Sequence, residues 1–406
     1  MVVEAYDQLA AEGWLEGRPG SGTRVRARAG VYEPPPGLRA PPAGARYAFT
    51  TGVPDLVAFP RTAWLRAMQH ALRRAPAAEL GHVDPRGLPA LRAELAAYLA
   101  RVRAVSAHPA GVVVTHGFTH GFGLLCHALR DAGHTSVALE DPGFPLLEAF
   151  ARRAGLEPTP VGVDTDGVSV DALARSGARA VVVTPAHQFP LGHVIAAERR
   201  AELLTWANEV DGLVIEDDYD AEFRYDRRPV GALQGLGPER VVYAGSASKS
   251  LAPALRLGWL VLPRDWSRPL AEVRWSIDLG VSAVDQLALA ELLRSGGLDR
   301  HLRRTRAANA AKRRALLAAL ARELPDARVT GVAAGLHAVA LLGAGADEQA
   351  VVAEAARRDV EVTALSTLYV TATPPGPGLV LGYAPLSEHA IAEGIRRLGE
   401  AVRART

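Results

Sequence analysis

The sequence predicts an α/β fold, a mostly parallel sheet sandwiched by helices, with a smaller α/β part at the C-terminal end. Two observations carry this. Six short apolar runs recur along the middle of the chain: "GVVVTHG", "TSVALEDPGF", "ARAVVVTPAH", "DGLVIEDDYD", "RVVYAGSASK" and "GWLVLP". Most are separated by amphipathic stretches such as "THGFGLLCHALRDAG" and "AAERRAELLTWANEV". Strands this uniformly apolar are buried on both faces, the condition of a parallel sheet covered by crossover helices.

The 406 residues suffice for two or three structural units and a substantial core. With 49% apolar and 22% charged residues, the composition is that of a globular protein. A net charge of +2 gives no global field to draw in nucleic acid or membrane. No apolar run reaches the roughly 18–20 residues of a membrane span, and none reads as a secretory leader. The single cysteine, Cys126, excludes an internal disulfide and fits a reducing cytoplasm, the expected location. The surplus of Ala, Arg, Gly and Pro reads as coding bias.

In chain order, residues 1–27 behave as a unit. Val3, Tyr6 and Leu9 recur at helical spacing, and Gly13 is placed to end the helix. "WLEGR" and "TRVRA" then read as strands around the turn "PGSG". The hairpin carries Arg18, Arg24 and Arg26, which suits either a nucleic-acid wing or a simply solvated basic turn. Residues 28–45 form a Pro/Gly-rich linker. The six strands follow, within a large part expected at about 80–281. A long helical region from about Ala283 to Leu324 then leads into the mixed α/β tail. The smaller part is expected at about 300–406, with 46–79 packed beside it.

In open α/β sheets, ligands bind at the carboxyl ends of the strands. Here those ends are polar or turn-forming: Thr115-His116-Gly117, Glu140-Asp141, Thr184-Pro185, Glu216-Asp217-Asp218 and Gly245-Ser246. "SASKSLAPALRLG" adds the hydroxyls of Ser246 and Ser248, the Lys249 amine and the Arg256 fork. Hydroxyls with a bidentate arginine make a phosphate cradle. Gly117 opens a helix, so the amides of Phe118 and Thr119 extend that cradle. Asp217 can meet a cationic heterocycle nitrogen. Lys249 is one of only two lysines, the other being Lys312 in "NAAKRRALLAAL", which reads as a surface residue. An amine can lose a proton and form a Schiff base; a guanidinium cannot. A phosphate cradle, a carboxylate and a near-unique lysine point to pyridoxal 5′-phosphate.

At these residues the chain resembles fold-type I pyridoxal-phosphate enzymes of the class I/II aminotransferase group. More closely, it resembles the MocR/GabR subfamily of GntR-type transcription regulators, in which an aminotransferase-like domain follows a winged helix-turn-helix. The motifs are "VVEAYDQLAAEGWLEGRPGSGTRV", "GVPDLVAFP", "DPRGLPALRAELAAYL", "LEDPGFP", "VTPAHQFPLG", "IEDDYDAEFRY" and "SASKSLAPALRLG", in that order along essentially the whole chain. The resemblance implies that Lys249 is the Schiff-base lysine and that Asp217 pairs with the pyridinium nitrogen. It places Tyr219 on the ring hydroxyl and Phe144 on the ring face, although Phe144 alone reads equally as a core aromatic. It assigns the phosphate to Ser246, Ser248, Arg256 and the Gly117-Phe118-Thr119 turn, and puts His187 and Gln188 at the ring-binding strand end. A homodimer is implied as well.

Departures from the family pattern set limits. His82 in "GHVDPRG" replaces a tyrosine that reaches a phosphate, often the partner subunit's. Thr119 and His120 stand where glutamines are common. In "LVLGYA", Val380 occupies the position of the arginine that clamps a substrate carboxylate, a loss of roughly 1.5–3 kcal/mol. A complete winged helix needs on the order of 45 further residues before this start, so DNA binding is expected only if those residues lie upstream. A misassigned start, a truncation and a decayed regulator all remain open. The expected function is a pyridoxal-phosphate-binding effector domain that senses an amine, amino acid or vitamer. The alternative is an active aminotransferase, with full transamination in doubt at Val380.

Overall fold

The computed structural model describes residues 2–18, 20, 22–25, 44–226 and 230–405. The chain divides into two units, Met1–Gly44 and Ala45–Thr406. In the first, helix α1 (Val2–Ala11) is followed by a hairpin of β1 (Leu15–Arg18) and β2 (Gly22–Val25), with Leu15 opposite Val25. Gly13 takes a left-handed φ of +79°, which stops the helix as its position in the sequence suggested. Helix α1 buries none of its residues, and Arg24 is exposed on β2. Arg26, the Arg18 side chain and most of the expected linker lie outside the described residues.

The second unit begins with β3 (Tyr47–Ala48), α2 (Arg61–Arg74) and α3 (Pro89–Arg103). Then β4 (Val112–Thr115), β5 (Ser136–Asp141), β6 (Glu157–Asp164), β7 (Gly167–Val168), β8 (Ala180–Val183), β9 (Leu213–Asp217), β10 (Val241–Ser246) and β11 (Gly258–Val261) form one sheet. Its order is β4-β11-β10-β9-β8-β5-β6-β7, and β10, β9, β8, β5 and β6 run parallel. Helices α4 (Phe118–Asp131), α5 (Leu146–Ala154), α6 (Val170–Ser176), α7 (Ala197–Glu209) and the short α8 (Ala247–Ser250) fill connections between the strands.

Side-chain alternation along β4 shows how both faces are covered. Val112 and Val114 pack with Leu95 and Leu99 of α3, whereas Val113 packs on the other face with Phe122 and Leu125 of α4. Strand β11 runs antiparallel to both β10 and β4. The connection from Ser246 to Gly258 is too short for a parallel crossover, so the chain turns straight back. That turn carries Lys249 and Arg256.

After α9 (Ser267–Ile277), the expected long helical region divides into α10 (Ala283–Arg294) and α11 (Gly297–Glu323), broken at Gly296 with φ +66°. The tail contains β12 (Arg328–Thr330), β13 (His337–Leu341), α12 (Glu348–Arg357), β14 (Val360–Glu361), β15 (Thr363–Ala364), β16 (Gly378–Gly382) and α13 (Glu388–Arg403). Strands β12, β13, β16 and β15 make a second, antiparallel sheet. Tyr47 and Phe49 join its core with Leu316, Leu320, Ile391 and Ile395, and β3 pairs with β14. Trp64 and Ala67 of α2 instead pack with α3 and Leu289 of α10. Among the described residues, no helix is long and apolar enough to cross a membrane.

Candidate cofactor site

The carboxyl ends of β5, β9 and β10 open into a cavity of about 520 Å³, lined there by Glu140, Asp217 and Ser246. The start of α4 adds Phe118 and Thr119, and the segment before α2 adds Thr51, Gly52 and Val53. Leu336, His337, Thr367, Leu368 and Val370 close the wall from the C-terminal third. Asp141 ties that third to the sheet, because its carboxylate accepts the amides of Val370, Thr371 and Ala372 at 2.8–2.9 Å.

Lys249 projects from α8 into this cavity, and its Nζ donates to the Gly52 carbonyl at 2.6 Å. Burial pulls its ammonium below the usual range, against the opposing pull of Asp217 and Asp220. The neutral amine, the form that attacks a carbonyl, is therefore easier to reach. The other lysine corrects the sequence reading. Lys312 is buried in α11, where Nζ pairs with Asp55 at 2.8 Å and donates to the Ala384 carbonyl at 2.6 Å. It is a structural cation, not a surface one.

The groups expected to form an anion cradle lie beside Lys249. Ser246 caps α8 by accepting the Ser248 amide at 3.1 Å, and the two hydroxyls are 2.8 Å apart. Gly117 starts α4 with φ +85° and no side-chain cap, leaving the Phe118 and Thr119 amides for a ligand. Arg256 donates to the His116 carbonyl and lies against Gly117. A Cβ on Gly258 would come within 2.7 Å of the Gly117 Cα, so this close backbone contact requires glycine.

Asp217 ends β9 with only 9% exposure, and its carboxylate accepts no hydrogen bond from the described residues. Burial, reinforced by the Asp218 carboxylate, holds it well above the usual carboxylate range, and Lys249 opposes this only in part. A buried carboxylate left in this state calls for a cation. Next to it, Tyr219 lies within 3.0 Å of His187 Nδ1, which is also 3.0 Å from Asp220. With the His187 proton directed to Asp220, the Tyr219 hydroxyl keeps its own proton for the cavity. Burial, then Asp220 and Asp217, push that hydroxyl well above its usual range, so it stays protonated.

Of the residues singled out from sequence, Lys249, Asp217, Tyr219, Ser246, Ser248, Arg256, Phe144, Phe118 and Thr119 all line the cavity. Gly117 sits behind Arg256. His187 is buried behind Tyr219, and Gln188 braces the loop by donating to the Pro142 carbonyl at 2.8 Å. Phe144 stands edge-on to Phe189, with ring centroids 6.2 Å apart. His82 is exposed and does not line this cavity.

Sequence reasoning did not single out Asp220, Phe189, His337 or the Gly52 carbonyl, and it noted Glu140 only as a strand end. Glu140 had a signal, since it closes an apolar strand; burial pushes its carboxyl up to about 7, although Thr184 donates to it at 2.5 Å. His187, Asp220 and His337 bring their ligand atoms within 4.8 Å of one another, close enough for one cation. They are instead engaged in hydrogen bonds, His187 to Asp220 and His337 to the Pro190 carbonyl.

A family model described as "Aminotransferase class I and II" matches residues 49–398. The chain belongs to the class I and II aminotransferase family. Within it, the likeness is to MocR-type regulators, as the sequence motifs implied. The chain is 34% identical to the HTH-type pyridoxine biosynthesis transcriptional regulator PdxR of Corynebacterium glutamicum, over 99% of this chain and 87% of the relative. It is 33% identical to the probable rhizopine catabolism regulatory protein MocR of Rhizobium meliloti, over 98% of this chain and 85% of the relative. Among solved structures it is similar to LysN, an alpha-aminoadipate aminotransferase from Thermus thermophilus complexed with N-(5′-phosphopyridoxyl)-L-leucine. That match has a TM-score of 0.77 and 26% identity, and covers 88% of this chain and 92% of the other. The fold is therefore fold-type I.

The family's cofactor is pyridoxal 5′-phosphate, and the residues present fit it. The cradle of Ser246, Ser248, Arg256 and the α4 amides suits a phosphate. The Asp217 carboxylate, which accepts no hydrogen bond from the described residues, suits a ring cation, the Tyr219 hydroxyl suits a ring oxygen, and the Lys249 amine suits an aldehyde.

Proposed function

We propose that this chain is the effector part of an HTH-type transcriptional regulator, holding pyridoxal phosphate at Lys249 and sensing a small amine, amino acid or vitamer in the adjoining cavity. The observation that carries this is the convergence of Lys249, Asp217 and the anion cradle on one cavity, in a chain that is 33–34% identical to two curated regulators over 85–87% of their length. The bound cofactor supplies an aldehyde that condenses reversibly with amines and a ring that withdraws electrons.

Each protein group then has a task. Ser246, Ser248, Arg256 and the Phe118 and Thr119 amides hold the phosphate. Asp217 keeps the ring nitrogen protonated, because a desolvated carboxylate strongly favours a cation beside it. Tyr219, held in place by His187 and Asp220, would donate to the ring hydroxyl oxygen. Phe144, on the cavity wall, would cover one ring face. Lys249, its ammonium weakened by burial, would give up a proton more easily and so supply the amine that holds the cofactor's aldehyde. His82, exposed on this chain, serves the phosphate of a second copy in a cytoplasmic homodimer. The N-terminal helix and hairpin belong to the DNA-binding module.

Borohydride trapping followed by peptide mass spectrometry tests the core of the reading. A reduced pyridoxyl adduct is expected on Lys249, with none on Lys249→Ala. An adduct elsewhere, or none, removes the cofactor assignment. Steady conversion of an amino donor and keto acceptor, abolished in Lys249→Ala, would make the chain an aminotransferase instead.

A further inference from the structure

The cavity's charge pattern says what kind of molecule it takes. Among the described residues that line it, the cations are Lys249 and Arg256, and both stand at the cofactor end. Glu140, Glu148, Asp217 and Asp220 supply four carboxyl groups. The wall facing them is apolar and includes Phe189, Leu336, Leu368 and Val370. His337 adds no charge, since burial pushes its imidazole down to about 4.

Val380 explains why no cation enters from the C-terminal sheet. It lies at the centre of β16, opposite Val339 on β13 and Thr363 on β15, and is 0% exposed. Leu191, Leu365 and Leu368 enclose it, and Phe189 packs against the same cluster. Leu368 and Phe189 are themselves cavity wall, so this side of the cavity is backed by hydrocarbon. Away from the cofactor end, a carboxylate carried into this cavity would lose its water without gaining a counter-charge from the described residues, and would lie among the carboxyl groups of Glu140 and Glu148. An ammonium meets the opposite situation.

Resting on the cofactor reading above, we infer that the ligand of this cavity is a primary amine with an apolar body and no carboxylate, and that α-amino acids are rejected. The Val380 cluster and the missing cation set that preference.

The test is calorimetric titration of the full chain, loaded with pyridoxal phosphate, with phenethylamine and with L-phenylalanine, which differ only in the carboxylate. The amine is expected to bind at least about tenfold more tightly. Val380→Arg would force a cation into a closed apolar cluster, so the informative variant is Val370→Arg, at a 58% exposed cavity position. It should narrow the difference about tenfold by pairing with the carboxylate. Equal or tighter binding of phenylalanine by the wild type overturns the inference, as does a difference that Val370→Arg leaves unchanged. Cofactor uptake with no response to either probe overturns it too, while leaving the cofactor reading intact. Failure to take up the cofactor at all overturns both, and absorbance distinguishes that case before any probe is added.

Discussion

Asp217→Asn separates two opposing effects of one carboxylate. In the cofactor-free chain that group is nearly sealed from water, accepts no hydrogen bond from the described residues, and faces Asp218, Asp220 and Glu140. A buried polar group left unsatisfied costs about 1–3 kcal/mol. Asparagine keeps the shape and removes the charge but remains an unsatisfied polar group, so the cofactor-free variant should be more stable than wild type where the carboxylate is ionised, by part of that amount. Burial and the Asp218 charge raise the folded carboxyl well above its usual 3.8. Its contribution to stability is therefore full below that value and is lost as pH rises through the raised one. The variant's advantage should accordingly grow with pH. Cofactor affinity should move the other way. Losing a charge-assisted hydrogen bond of roughly 1.5–3 kcal/mol weakens binding about 10- to 150-fold. Urea unfolding of the cofactor-free proteins and absorbance titration with pyridoxal phosphate measure the two effects. A variant that is less stable without cofactor yet binds it equally well would refute the assignment of Asp217 as counter-ion.

Two further outcomes are expected. Arg256→Ala should weaken pyridoxal phosphate about 10- to 150-fold, by the same loss of charge-assisted bonds, yet leave pyridoxal, which lacks the phosphate, nearly unchanged in a competition titration. Glu140, pushed up to about 7 by burial, should make cofactor-free wild type lose stability relative to Glu140→Gln as pH rises from its usual 4.5 to about 7, levelling off above. Thermal melts across that range would follow it.

Much of this site was legible along the chain, because strand ends in an α/β sheet are polar where the strands are apolar. The Asp217 and Ser246 ends and the Gly117 turn after β4 were readable in this way, and the rarity of lysine drew attention to Lys249. Lys312 shows the weakness of the same signal. It lies in an arginine-rich helix and looks solvated, but Asp55 and Ala384, far away in sequence, enclose it. The reversed direction of β11 was hidden because an apolar run reads the same either way. The break at Gly296 was hidden because the apolar periodicity continues on both sides of it.

The sequence by itself determined the alternation of strands and helices, the candidate residues for an anion cradle and the choice of an amine over a guanidinium, since all of these follow from local pattern and side-chain chemistry. Only the tertiary structure decided which charges share the cavity. Asp220 and His187 converge on Tyr219, Gly52 reaches Lys249 across 197 positions, and Val380 is enclosed by Leu191 and Leu368. Electrostatic effects depend on distance and burial, and neither can be read from spacing along a chain.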